Sequence, residues 1–135
     1  MKRSLISAKI AFLAAFLTLF VSAKTPALEF AEKEFDFGTI SDTHAPVVHE
    51  YTFTNVSAEP VAVLSVSTGC GCTRPAYPLE PVKPGKKAKI KITFLPAGQR
   101  GEINKDIRVR FRGAKASKSQ RVTLRLRGNV VPDKK

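Results

Sequence analysis

The chain is poor in the residues that build catalytic and metal centres. Its 135 residues hold two cysteines, two histidines and one methionine, with no tryptophan. A structural zinc site takes four nitrogen or sulfur ligands, and only His44 and His49 could join the two thiolates. His49 falls on the apolar side of an alternating stretch, where a hydrogen-bonded core histidine is expected; His44 precedes Ala45-Pro46 in a loop. There are no motif-placed paired carboxylates, no glycine-rich phosphate loop and no nucleophile elbow. Nothing in the spacing brings a Cys–His nucleophile pair together. These absences point away from an enzyme and from a resident cofactor. Helical periodicity is nearly missing as well, and no apolar run reaches the roughly 20 residues a membrane-spanning helix needs.

The N-terminus reads as an export leader. Lys2 and Arg3 precede an apolar run from Ile10 to Val21, and Val21-Ser22-Ala23 places small residues at the cleavage-determining positions. This is the pattern of a signal peptide over residues 1–23, cut before Lys24. The competing reading is an uncleaved N-terminal anchor. Export to the periplasm or the exterior of a Gram-negative-type bacterium follows from the leader, as does an oxidising setting for the thiols. Residues 24–135 then form one domain, a length that suits a single core.

Period-two alternation runs through that domain and predicts strands. Leu28, Phe30, Phe35 and Phe37 mark a first strand region; Val47, His49, Tyr51 and Phe53 mark a second. Val61 to Ser67 is apolar on both faces, which suggests a central strand covered on each side. Asn55 to Pro60 reads as a turn in which Asn tolerates unusual backbone angles and Pro presets one. Pro75, Pro78, Pro81 and Pro84 make the next stretch an edge segment or a crossing between sheets, because proline cannot donate to a ladder. Three strands follow, with Ile90 and Phe94, then Ile107 and Val109, then Leu124 and Leu126 pointing inward. About seven strands in roughly 110 residues match an all-β, Ig-like β-sandwich; an open barrel is the alternative. An inter-sheet disulfide is not available, because the cysteines are one residue apart.

The cysteines sit in Ser67-Thr68-Gly69-Cys70-Gly71-Cys72-Thr73. In an extended strand such a pair has Cβ atoms about 7 Å apart, whereas a disulfide needs about 3.8 Å. Bonding Cys70 to Cys72 therefore requires a kink, which Gly71 permits. Four readings stand: small packed residues at a bend, a reversible thiol–disulfide pair, capture of Cu(I) by the two thiolates, and disulfides between molecules.

Charge is the other departure from an ordinary domain. Residues 24–80 carry three basic side chains against eight acidic, and residues 81–135 carry seventeen against three. Alternation gathers Lys87, Lys89 and Lys91 on one exposed side, and Arg108, Arg110, Arg112, Arg121, Arg125 and Arg127 on the shared face of a hairpin. That face is either a solvated, aggregation-resistant surface or an anion-binding one, since the guanidinium fork suits carboxylate and phosphate. No aromatic is interleaved to stack on bases, which argues against nucleic acid. An acidic protein or an anionic envelope component is the expected partner, and the acidic N-terminal half leaves open head-to-tail contact between copies.

Several segments carry a family likeness. Phe35-Asp36-Phe37-Gly38-Thr39-Ile40, Phe53-Thr54-Asn55, Gly69-Cys70-Gly71-Cys72-Thr73, Val82-Lys83-Pro84-Gly85 and Leu126-Arg127-Gly128-Asn129-Val130 together resemble a family of exported bacterial Ig-like domains of unknown function. That family is similar in fold to ASH, hydin and major sperm protein domains. The resemblance implies a binding or assembly module without catalysis, and it does not account for the dense arginines of the last two strands. The sequence therefore predicts an exported scaffold or binding module working through its basic face. The alternative is a periplasmic thiol-redox or Cu(I)-binding protein working through Cys70 and Cys72.

Overall fold

The computed structural model describes residues 25–134; the leader expected over residues 1–23 lies outside them. Alternating sequence becomes eight strands: β1 (Leu28–Phe30), β2 (Glu34–Ser41), β3 (Val47–Asn55), β4 (Val61–Ser67), β5 (Thr73–Ala76), β6 (Lys87–Phe94), β7 (Gly101–Gly113) and β8 (Gln120–Val131). Two four-stranded sheets result, ordered β1-β3-β6-β5 and β2-β8-β7-β4. The expected first strand region divides at residues 31–33, sending β1 to one sheet and β2 to the other. The proline-rich stretch opens as an edge strand, β5, with Pro75 inside it.

The inward rows form one core. Tyr51, Phe53 and Phe94 from one sheet meet Phe111, Leu124 and Leu126 from the other, each no more than 1% exposed. Each such side chain stabilises the fold by about 1.5–3 kcal/mol on burial. Ile107 and Val109 are buried with them, and Arg108, Arg110 and Arg125 face outward, as alternation requires. The C-terminal strand β8 is interior to its sheet. It pairs antiparallel with β7 on one side and parallel with β2 on the other.

The strand β4 departs from expectation. It is an edge strand, not a central one. Its register against β7 slips between Val63 and Ser65, leaving Leu64 as the extra residue. A one-residue bulge reverses which residues point inward. Val61 and Val63 are buried before it, whereas Val66 packs on the core after it and Ser65 and Ser67 are exposed. The run looked apolar on both faces because the inward parity changes halfway along.

The turn after β3 forms where predicted, by another device. No residue other than glycine has a positive φ among the described residues, so Asn55 is not there for its backbone tolerance. Its side chain is fully buried. Nδ2 donates to the carbonyls of Glu59 and Val82, and Oδ1 accepts from the amide and hydroxyl of Ser57. One amide thus ties the β3–β4 turn to the Val82 bridge on Val61.

Two further contacts fix the layers. The buried Tyr51 hydroxyl donates to the Arg125 carbonyl at 2.6 Å, crossing from one sheet to the other. Burial pushes its phenol above the ordinary value, with Glu32 and Glu34 adding to the shift. The Phe37 ring stacks on Phe94 at 5.2 Å and covers Gly128 so closely that a Cβ there would lie 2.2 Å from the ring.

Candidate functional site

The outer face of the β2-β8-β7-β4 sheet can be assembled strand by strand from its register. Along β7 the outward residues run Glu102, Asn104, Asp106, Arg108, Arg110, Arg112; along β8 they run Arg121, Thr123, Arg125, Arg127. Arg110 lies directly opposite Arg121, Arg108 opposite Thr123, and Asp106 opposite Arg125. On the far side of β8, Glu34 and Asp36 of β2 align with Arg125 and Arg127.

This register divides the six arginines. Arg125 pairs with Asp106 at 3.3 Å, and Arg127 with Glu34 at 2.7 Å. The Glu34 hydrogen bond, and then its charge, raise the Arg127 pKa further. Among the described residues no carboxylate comes within ion-pair distance of Arg108, Arg110, Arg112 or Arg121. One end of the face is therefore internally neutralised, and the other carries four uncompensated cations.

Neighbours on β4 complete the basic end. Ser67 aligns with Arg108, Ser65 with Arg110 and Ala62 with Arg112. Ser65, Ser67, Arg108, Arg110 and Arg121 line a shallow depression of about 190 Å³. Sequence reading picked out the arginines and missed the serines. Simple alternation from Val61 and Val63 would send Ser65 inward, and only the bulge at Leu64 brings it out. The signal was available in the order Val63-Leu64-Ser65-Val66-Ser67, where an apolar–polar alternation restarts one residue late.

The lysine row lies elsewhere. Lys87, Lys89 and Lys91 align with Thr54, Thr52 and Glu50 on the opposite sheet, and Lys89 pairs with Glu50 at 3.0 Å. The two basic rows thus belong to opposite outer faces of the sandwich.

The cysteine turn joins the edge strands β4 and β5, which belong to different sheets. Cys70 and Cys72 are linked as a disulfide, with Cα atoms 5.3 Å apart. The left-handed residue that sets up the turn is Gly69, with φ of 69°, rather than Gly71. The Thr73 amide closes the turn onto the Cys70 carbonyl, and the Thr68 hydroxyl donates to the Cys70 and Thr73 carbonyls. Both cysteines are half-buried. In this structure the two sulfurs are engaged with each other.

His49 is hydrogen-bonded as expected, but it is half-buried at the edge of the core and not within it. Its Nε2 meets Glu32, its ring stacks on Phe35 with centroids 3.7 Å apart, and Tyr51 packs edge-on. His44 is exposed and its ring bonds the Ala45 carbonyl. Among the described residues no three His, Cys, Asp or Glu side chains gather as a metal-holding group.

Solved structures share this architecture. The ASH/PapD-like domain 7 of human CEP192 matches with a TM-score of 0.63 at 18% identity, over 82% of this chain and 91% of that one. The YadV chaperone matches with a TM-score of 0.57 at 14% identity, over 81% of this chain and 53% of that one. The VesB protease of Vibrio cholerae matches with a TM-score of 0.60 at 15% identity, over 76% of this chain but 32% of that one. The chain thus spans about a third of the protease, and at these identities the likenesses show the fold alone. No curated protein sequence matches it. The Ig-like sandwich expected from the strand pattern, and its likeness in fold to an ASH domain, are the observed ones. A family model described as "Protein of unknown function (DUF1573)" matches residues 28–130, and the chain belongs to that family.

Proposed function

We propose that this protein is an exported, non-enzymatic binding module that engages an anionic partner, an acidic protein or an envelope component, through the basic end of its β2-β8-β7-β4 face. One observation carries the reading: Arg108, Arg110, Arg112 and Arg121 share an exposed face on which, among the described residues, no carboxylate pairs with them, whereas Arg125 and Arg127 hold Asp106 and Glu34. Leaving like charges adjacent on neighbouring strands costs stability, and an external anion offsets that cost. The shared fold with a chaperone and an ASH domain agrees with a binding role. Export rests on the leader.

Retention of the protein on an immobilised polyglutamate matrix across a salt series tests this. Retention should fall steeply with salt, because exposed charges are screened beyond about 8 Å at 0.15 M. Arg108→Ser, Arg110→Ser and Arg121→Ser together should abolish it. Arg125→Ser with Arg127→Ser should reduce it much less, since those charges are already matched. Equal loss in the two variants would overturn the assignment to the basic end.

A second reading rests on the disulfide. Its half-buried sulfurs sit on a loop at the sandwich edge, where a partner dithiol could reach them. Attack by a partner thiolate on one sulfur would release the other as a thiolate, and the partner's second thiol would complete the reduction. The reduced pair would then offer two thiolates to Cu(I). Alkylation after mild reduction of the folded protein tests accessibility; unlabelled thiols would sink both the redox and the copper reading.

A further inference from the structure

We infer that the depression between β4, β7 and β8 is a seat for a tetrahedral oxyanion, a phosphate or sulfate group, held by Arg108, Arg110 and Arg121 together with the hydroxyls of Ser65 and Ser67. This rests on the proposed basic-face reading and adds a ligand class to it.

The lining residues carry two kinds of donor. Three arginines and two serines line one concavity. Register places Ser65 beside Arg110 and Arg110 beside Arg121, a serine–arginine–arginine row across three strands. The next row is Ser67, Arg108 and Thr123. A carboxylate offers two oxygens in a plane, and one bidentate arginine satisfies it. A phosphate monoester offers three terminal oxygens and close to two negative charges at pH 7. That geometry and charge suit donors arriving from separate strands. The facing Arg110 and Arg121 are better matched by a dianion than by a single negative charge.

The bulge is the second observation. Without the extra residue Leu64, alternation from Val63 would turn Ser65 and Ser67 toward the core and Val66 toward solvent. Bulges re-aim side chains, and they recur beside functional sites. Here the bulge delivers two hydroxyls to the arginine end of the face, at the edge strand where a ligand meets no covering strand. A surface built only for solubility has no need of it.

The source of the anion is either a lipid headgroup or a soluble ester, and both present the same group. Titration calorimetry on the full chain with inorganic phosphate, sulfate and acetate reads the seat directly. Phosphate and sulfate should bind, and acetate should bind at least tenfold more weakly. A Ser65→Ala/Ser67→Ala variant keeps every charge; its phosphate affinity should fall roughly tenfold through lost hydrogen bonds to a charged ligand. Loss of polyglutamate retention in the unaltered protein itself would refute the basic-face reading, independently of the calorimetry. Equal affinity for phosphate and acetate, or an unchanged phosphate affinity in the serine variant, would overturn the seat. Vesicles containing phosphatidic acid serve as the lipid arm. Binding to them that free phosphate displaces assigns the seat to a lipid phosphate; phosphate binding without vesicle binding assigns it to a soluble ester. Either supports the seat, and neither occurring refutes it.

Discussion

Arg110 and Arg121 stand directly opposite each other across the β7–β8 ladder, two exposed cations at one rung with no carboxylate in ion-pair range among the described residues. Such a pair works against the sheet. Replacing Arg121 with Glu turns repulsion into attraction and should raise stability by a few tenths to about 1 kcal/mol, read as a higher urea midpoint at unchanged slope. The same variant should lose retention on an acidic matrix. Gained stability with lost binding is the signature of residues kept for a ligand; a stability loss would mean Arg121 supports the sheet itself.

Gly128 should tolerate nothing larger. A Cβ there meets the Phe37 ring at 2.2 Å, and that ring is held by stacking on Phe94. Gly128→Ala should destabilise the fold by about 1–3 kcal/mol through overpacking. Gly113→Ala makes a useful contrast, because the atoms it would meet are the far end of the Glu59 side chain, which can swing away. Its loss should be limited to the Glu59 contact with the Lys115 amide, about 0.5–1.5 kcal/mol. Thermal or urea unfolding of the two variants side by side checks the order.

Asn55 should be among the most sensitive polar positions. Asn55→Asp removes both donors and points a carboxylate at the carbonyls of Glu59 and Val82. Losing buried partners costs about 1–3 kcal/mol for each unsatisfied group. Unfolding at pH 7 and again near pH 4 checks this; the defect should ease as the carboxyl takes up a proton and can donate again.

Tyr51 predicts a weakness at alkaline pH. Its phenol is raised above the ordinary value of about 10 by burial, so the folded chain holds that proton after the unfolded chain releases it. With fewer protons bound in the unfolded state, stability falls as pH rises above about 10 and is intact below it. Tyr51→Phe should cost about 0.5–1.5 kcal/mol at pH 7, from the lost bond to the Arg125 carbonyl. It should also flatten the decline between pH 10 and 12. Equal slopes in the two proteins would show that Tyr51 does not report on unfolding.

The disulfide should contribute little to global stability. It links positions two apart, and a loop that short restricts the unfolded chain by only about 1.5 kcal/mol. Cys70→Ser with Cys72→Ser should lower the unfolding free energy by no more than that, read from the urea midpoint at unchanged slope. A loss of several kcal/mol would assign the bond a structural duty.

Strand existence, the inward rows and the exposed arginines were legible in the sequence because a two-residue period is local information. Ile107, Val109, Leu124 and Leu126 went inside, and their neighbours went out. The features that escaped depend on pairing. Val61 to Ser67 reads as a doubly covered strand unless the bulge at Leu64 is known, and the bulge is defined only against β7. The split of the arginines depends on β2 lying beside β8, a contact across about 90 residues, which puts Glu34 next to Arg125 and Arg127. Asn55 was recognised as a turn residue, but its role comes from Val82, 27 positions away.

The last of the eight described strands is the one its neighbours are waiting for. Because β8 lies between β2 and β7, this sheet has no middle until synthesis reaches residue 131. Chains that stop short of it keep β4 on β7 but leave β2 with no partner in the sheet. A stop even a few residues early, removing Val130 from its place against Gly101 and Ile40, should yield a product that is degraded instead of a slightly weakened protein.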